Sequence, residues 1–464
     1  MRLRPSEWSK IVALRVAVLS LVVVLLVPAG TAAITNEPQT MEAGSISEPA
    51  NGTTVISVQG FKLSGEASGK KPARLVGVGP TGEVRWVENG ESLNVTWFYD
   101  VDPINGSNLL VTGVNPGETV ISEWNPQTGD VLWSEQFALE DTHDVDAING
   151  DQLLIANMRN YNESSGKNED RILVYNRTTD QIVWEWQFRD HYPADGGGTY
   201  TDDWTHVNDI DKVAPGEYLA SNRNFDQAIV VNRSTNEIDL RLGSDDDHET
   251  LYEQHNPQYL RSANGTETVL VADSENDRIV EYAKTDGTWS RTWTLGSSET
   301  LNWPRDADRL PNGNTLVTDT LNHRVMEVTP EGEIVWEFYA PWGTYDAERV
   351  RLGDEPGGPT VREMNASGTY ELNGSAGLTP GTGSGQTFSQ WVSGLARETP
   401  LEEAVASAAE RYAHVTPWIR PIWMDSWAFA SSLFAGLVTI GWVLGELVYQ
   451  RTRIRAAIGG AIQG

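Results

Sequence analysis

The sequence predicts an all-β fold, a six-bladed β-propeller flanked by an N-terminal and a C-terminal transmembrane helix, and three observations predict it. First, a strand that usually carries Trp recurs as GEVRWV (82–87), GDVLWS (129–134), QIVWEW (181–186), EIDLRL (237–242), WSRTWT (289–294) and GEIVWE (332–337). Its spacing runs from about 43 to about 56 residues, the range of propeller blades. Second, further short strands precede it in each unit, as in PRDADRL, NTLVTDT and HRVMEV of the last, separated by the turns Pro311-Asn312-Gly313 and Pro330-Glu331-Gly332. Small separate sheets would each leave a face unburied, so the units stack into a ring. Third, each end of the chain carries an apolar run about one bilayer long.

In chain order, residues 1–35 form an N-terminal transmembrane helix or signal anchor, with Arg15 inside the apolar stretch 11–34. Thr31-Ala32-Ala33 ends in small residues, so cleavage as a signal peptide is the alternative. Residues 50–345 form the propeller. Its first unit offers TVISVQGF, ARLVGV and GEVRWV with no innermost strand, so the ring must borrow one, and 349–373 is the expected donor. Residues 346–397 therefore hold the closing strand and a Gly/Ser/Thr/Pro linker, LTPGTGSGQTFS. Residues 398–425 follow as a juxtamembrane helix over about 398–413, then the aromatic belt of Trp418, Trp423 and Trp427. A second membrane helix over 426–449 contains Glu446, and 450–464 is a basic tail. Arg2, Arg4 and Lys10 precede the first apolar run, while Arg451, Arg453 and Arg455 follow the second. The positive-inside rule therefore puts both termini in the cytoplasm and the propeller outside. Sequons at Asn51, Asn94, Asn105, Asn162, Asn176, Asn232, Asn264, Asn365 and Asn373 fit an exported glycoprotein.

Composition narrows the chemistry. With 65 acidic against 34 basic residues and a net charge of -31, the chain repels nucleic acid, and such acidity fits a surface adapted to high salt. Cysteine is absent, which excludes disulfides, thiolate metal sites and cysteine nucleophiles.

The first strand of each blade lines the central channel, so residues at its start converge from distant parts of the chain. Those starts read Tyr99-Asp100-Val101-Asp102, His143-Asp144-Val145-Asp146, His206-Val207-Asn208-Asp209, His255-Asn256-Pro257 and Arg305-Asp306-Ala307-Asp308. Of seven histidines, three stand in this register; His191, His248, His323 and His414 are expected on loops or the outside. Three imidazoles can hold zinc, and Asp144, Asp146, Asp209 and Asp211 could attract a hard cation. No HxxxH or HxH pair fixes two ligands locally, however, and the aspartates suit turns and strand edges. Neither a metal nor a cofactor is expected at the site.

THVNDI, then EYLASNRNFDQAIVVN (217–232), then EQHNPQYL resemble the arylsulfate sulfotransferase family, in a membrane-anchored, halophilic archaeal type, over roughly residues 80–340. The resemblance implies transfer of sulfate between phenols without a nucleotide donor. It implies an aryl sulfate donor and a phenolic acceptor as partners, and a site that falls on His143, His206, Arg223 and His255. The chain departs from the family in lacking a disulfide and the amino-terminal β-rich domain. The residues suit this chemistry, because sulfuryl transfer, like phosphoryl transfer, has a loose transition state catalysed mostly by positioning and charge. Arg223 offers a planar fork for sulfate oxygens, and His143 or His206 can donate to a third oxygen or to the leaving phenolate. A neutral His255 can attack sulfur. Arg305 and Tyr99 are the expected substrate-binding residues. The rival reading is a non-enzymatic binding platform, since VADSENDRIVEY (271–282) and VTDTLNHRVMEV (317–328) resemble NHL-type repeats.

Overall fold

The computed structural model describes residues 5–36, 39–60, 71–379 and 385–462, and the chain divides into two compact units. One is Gln39–Gly385; the other joins the two ends of the chain, Met1–Pro38 and Gln386–Gly464. Arg2, Arg4, Phe61, linker residues 380–384 and the side chains of Arg453 and Arg455 lie outside the described residues.

Gln39–Gly385 is a six-bladed β-propeller. From the channel outward, blade two runs Trp97–Ile104, Asn108–Asn115, Glu118–Asn125 and Asp130–Phe137. Blade three is Val145–Ile148, Gln152–Asn157, Arg171–Asn176 and Gln181–Gln187, and blade four is Val207–Ala214, Glu217–Asn222, Gln227–Asn232 and Glu237–Gly243. Blade five is His255–Arg261, Glu267–Asp273, Arg278–Thr285 and Thr288–Leu295, and blade six is Pro304–Arg309, Thr315–Asp319, Arg324–Val328 and Ile334–Tyr339.

Blade one is assembled from both ends of the unit: Thr54–Val58, Arg74–Val78 and Val84–Glu88 take Thr344–Arg349 as their inner strand. The donor is thus the segment just ahead of 349–373, where GTYDAER alternates inward and outward residues, whereas the Gly- and Pro-rich stretch that follows supplies only a short strand, at the outer edge of another blade. Arg349 latches the closure, donating to Glu327 of blade six at 2.7 Å and to Thr54 of blade one. Outside this frame Glu42–Ile46 adds an outer strand to blade six, and Gly368–Tyr370 lies parallel to the outer strand of blade five.

The recurring Trp welds blade to blade. Trp186 packs in the apolar layer between blades three and four and donates its indole N–H to Asn236 O at 3.0 Å, in the outer turn of blade four. Trp293 does the same to Pro330 O at 2.8 Å, and Trp336 to Pro80 O at 3.1 Å. A large apolar ring with one donor at its edge fits a site that is dry on one side and faces a turn carbonyl on the other.

In the other unit, Lys10–Thr35 and Ser426–Arg451 are long and apolar enough to cross a membrane. Arg15 forks onto Glu446, Nε to Oε1 and Nη2 to Oε2 both at 2.7 Å, so the two charges inside the apolar runs neutralise one another. Helices Phe388–Ala396 and Glu402–Ile419 precede the second long helix. The first occupies sequence expected to be linker: Thr387 and Gln390 form a capping box that starts a helix directly after the glycines. Among the sequon asparagines none is buried.

Candidate active site

The inner strands share one register at their mouths. Asp102, Asp146, Asp211, Gln258, Asp308 and Glu348 lie opposite Leu110, Leu154, Leu219, Leu270, Leu316 and Val55 of the neighbouring strands. Three residues earlier stand Tyr99, His143, Asn208, His255, Arg305 and Tyr345, one from each blade. Two residues before these, the backbone is left-handed at Asp141 (φ 58°), His206 (44°), Glu253 (44°), Trp303 (53°) and Gly343 (63°). For a side-chain-bearing residue that conformation costs about 1–3 kcal/mol, and such strain concentrates at functional sites. The preceding blade holds it in place: Asp226 accepts the Glu253 N–H at 2.9 Å, and Asp277 accepts the Trp303 N–H at 2.7 Å.

The mouth residues close on one another. Tyr99 stacks on His143 with ring centroids 3.9 Å apart, and Tyr345 lies 5.1 Å from Tyr99, 5.5 Å from His143 and 6.2 Å from His255. The Arg305 guanidinium covers Trp303 at 4.3 Å and Tyr345 at 5.0 Å and donates to Gln59. Burial lowers Arg305 to about 10, so it stays charged at neutral pH.

His206 differs from the expectation. It occupies the left-handed position two residues ahead of the ring, and Asn208 fills the ring position in blade four. Its Nδ1 lies 2.8 Å from Asp203, and its Nε2 lies 2.9 Å from Nη1 of Arg223. A guanidinium only donates, so Nε2 accepts and the ring proton sits on Nδ1. Burial, then the Arg223 charge, hold His206 down at about 3. Arg223 begins a single 3-10 turn, Arg223–Phe225, rather than lying on a strand, and its Nη2 pairs with Glu253 at 2.9 Å.

His255 is fully buried, with Nδ1 2.8 Å from Ser274 Oγ. Ser274 has one proton, and it donates it to the Pro304 carbonyl at 2.7 Å. The hydroxyl therefore accepts Nδ1–H, leaving the lone pair on Nε2, which has no hydrogen-bond partner among the described residues. Burial first, then Arg305, Arg223, His206 and His143, push His255 well below the usual imidazole range. His143 places Nδ1 3.1 Å from the Tyr345 hydroxyl. Burial lowers it, while Asp141, which also accepts from Tyr99, raises it. Arg159 bridges the acidic supports of this web, pairing with Asp141 at 2.6 Å and Asp203 at 3.3 Å.

The structure thus brings together His143, His206, Arg223, His255, Arg305 and Tyr99. Sequence reasoning passed over Tyr345, Asn208, Ser274, Asp141 and Asp203. Tyr345 was findable, because Tyr345-Asp346-Ala347-Glu348 repeats the pattern of Tyr99-Asp100-Val101-Asp102. Of the histidines expected outside, His323 and His414 are buried: His323 closes the 3-10 turn of blade six in the left-handed conformation, and His414 lies in Glu402–Ile419.

Solved structures similar to the chain include a Bacteroides caccae protein of unknown function (12% identity, 66% of this chain and 98% of that one, TM-score 0.41). Others are a putative 6-phosphogluconolactonase from Bacteroides fragilis (12%, 64% and 98%, TM-score 0.40) and virginiamycin B lyase from Staphylococcus aureus (8%, 62% and 89%, TM-score 0.36). No curated protein matches. Residues 168–340 match the family model described as Arylsulfotransferase (ASST), a stretch that contains His206, Arg223, His255 and Arg305. That match supports the arylsulfotransferase family over the stretch it covers and suggests sulfuryl transfer.

Proposed function

We propose that the protein is an arylsulfate sulfotransferase that moves a sulfuryl group from a phenolic sulfate ester to a phenol-like acceptor through a covalent intermediate on His255. One observation carries the reading: His255 is a buried, neutral imidazole whose tautomer is set by Ser274 so that Nε2 keeps its lone pair. In the first half-reaction Nε2 bonds to sulfur as the bond from sulfur to the aryl oxygen breaks. The phenolate leaves with a proton from the His143 and Tyr345 pair, and the other imidazole proton stays on His255 Nδ1, donated to Ser274 Oγ. In the second, the acceptor oxygen attacks sulfur, the nitrogen–sulfur bond breaks, and the acceptor proton returns to that pair. Arg305 and Arg223 supply the positive field for the sulfuryl oxygens. His206 serves as a positioning residue, since its Nε2 already accepts from Arg223.

We further propose that the propeller faces the outside of the cell with both termini cytoplasmic, and that some of its exposed sequons carry glycans. The forked Arg15–Glu446 contact favours an N-terminal helix retained as an anchor over one cleaved as a signal peptide. The test of the reaction is kinetic and chemical. With 4-nitrophenyl sulfate and a phenol, initial rates should follow ping-pong kinetics, and alkaline quenching should leave sulfate on the peptide containing His255. His255→Asn should lose at least about a thousandfold in turnover with its melting temperature little changed. Sequential kinetics with an active His255→Asn variant would leave the binding platform as the better reading.

A further inference from the structure

Below the mouth the channel changes character. The register positions directly after the ring residues are Asp100, Asp144, Asp209, Asn256, Asp306 and Asp346, and all but blade five contribute an acid there. Part of this acidity is explained by the fold. The innermost strand of a blade is a sheet edge, and its inward N–H groups need acceptors. Asp144 takes the Ile210 N–H at 2.5 Å, Asp306 the Ala347 N–H at 3.3 Å and Asp346 the Val101 N–H at 3.0 Å, each reaching into the next blade. Deeper, Asp146 takes the Lys212 N–H at 2.8 Å.

The remainder is not explained this way. Asp354 and Glu355 come from the loop after the closing strand and satisfy no inner-strand edge, yet they place more carboxylate in the channel. Ligand oxygens of Asp102, Asp146 and Asp354 lie within 4.8 Å of one another, and so do those of Asp211, Asp354 and Glu355. A second observation is independent of this clustering. Asp211 is 7% exposed, and its Oδ2 has no hydrogen-bond partner among the described residues. Asp209 Oδ2 is left the same way, because the next blade presents Pro257, which has no N–H, where blade four presents Ile210.

We propose that a calcium ion binds in the channel at Asp354, between Asp102 and Asp146 on one side and Asp211 and Glu355 on the other. The donors are all carboxylate oxygens, which selects a hard cation over zinc or copper. Calcium–oxygen distances of about 2.3–2.6 Å allow two ligands of one ion to stand up to roughly 5 Å apart, which accommodates the observed spacing. Magnesium is disfavoured because it retains waters and uses only one or two protein carboxylates. Asp354 is half-buried, giving an ion a route in from that end of the channel. The ion would tie blades two, three and four to the chain segment that closes the ring, a structural role separate from the chemistry at the mouth. The inference holds or fails independently of sulfuryl transfer.

The test uses the full chain in detergent, dialysed against EDTA and then melted in calcium chloride, with magnesium chloride and sodium chloride controls at equal ionic strength. At a hundredfold excess over Kd, calcium should raise Tm by about 5 °C beyond either control. Asp354→Asn should remove that shift and, by relieving repulsion among neighbouring carboxylates, should melt no lower than the parent in EDTA. Elemental analysis of the parent protein after desalting, which needs no variant, should find at least one calcium per chain. Equal shifts from calcium and sodium, or an undiminished calcium shift in a folded Asp354→Asn variant, would overturn the assignment, as would calcium-free protein after desalting. Any of these would mean that shared protons neutralise the carboxylates.

Discussion

Blades four and five are built on the same frame, yet they treat their histidines in opposite ways. In each, the second strand runs into a single 3-10 turn whose first residue meets the histidine at the mouth of the inner strand: Arg223 meets His206, and Ser274 meets His255. The histidine of blade four sits at the left-handed position and has both nitrogens engaged, by Asp203 and Arg223. The histidine of blade five sits two register positions further on and has only Nδ1 engaged. The difference separates a residue that aims a guanidinium from one with a lone pair to use, a distinction residue type alone does not make.

Exchange at the turn of blade four gives the largest effect that tests this contrast. Arg223→Lys retains a charge but cannot reach His206 and Glu253 together, because an ammonium has no planar fork. We expect kcat/KM for aryl sulfate to fall about a hundredfold, comparable to the loss of one transition-state donor, with Tm changed by only a few degrees. Steady-state kinetics alongside a thermal melt decides it. A fall below tenfold would mean that Arg305 carries the sulfate alone and that blade four merely supports the mouth.

Much of this was legible beforehand. The blade repeat, its Trp, the membrane-length ends and the convergence of Tyr99, His143, His206, His255 and Arg305 follow from period and register, whereas Arg223 comes only from the family resemblance. The two-residue offset of His206 did not, because a left-handed residue and a bulge change which side chains face inward without changing the residue pattern THVND. Ser274 looked like one polar residue of an NHL-type turn; its importance comes from the Pro304 carbonyl of the next blade, which fixes the direction of its proton. Tyr345 carries the same pattern as Tyr99 but lies just ahead of the expected donor 349–373, on a closing strand whose partners lie at the opposite end of the unit. The acidic composition suggested surface, whereas Asp102, Asp211 and Asp308 are buried in the channel.

The turn of blade five gives a smaller effect. Ser274→Ala removes the acceptor for His255 Nδ1–H and leaves the imidazole free to place its proton on Nε2, where it blocks attack. A neutral hydrogen bond of about 1 kcal/mol corresponds to roughly fivefold to tenfold in tautomer population. We therefore expect kcat to fall by about that factor with KM little changed. Ser274→Thr, which restores a hydroxyl, should recover most of it. Equal losses in the two variants would show that packing near Pro304, and not the proton, is what Ser274 provides.

The smallest effect is one of pH, and it separates activity from stability. His255 faces Arg305, Arg223, His206 and His143, and His206 faces Arg223, Asp203 and His143; burial and the arginine charges hold both imidazoles below the ordinary 6.5, His206 at about 3 against the opposing pull of Asp203. The neutral form is the attacking form, so kcat/KM should remain flat from pH 7.5 to about pH 5.5, where an ordinary histidine would already have lost most of its activity. Stability should not remain flat. Below about pH 6.5 the unfolded chain takes up protons that the folded imidazoles refuse. Their contribution is therefore intact above that pH and declines as the pH falls toward the folded-state values. Rates at constant ionic strength, paired with urea melts of the parent and of His255→Asn across the same range, should show activity persisting while the parent's midpoint falls relative to the variant's. The raised channel carboxylates Asp144 and Asp306 are common to both. A rate that halves near pH 6.5 in step with the midpoint would place an ordinary, solvated histidine at the centre of the chemistry and remove the distinction between the two blades.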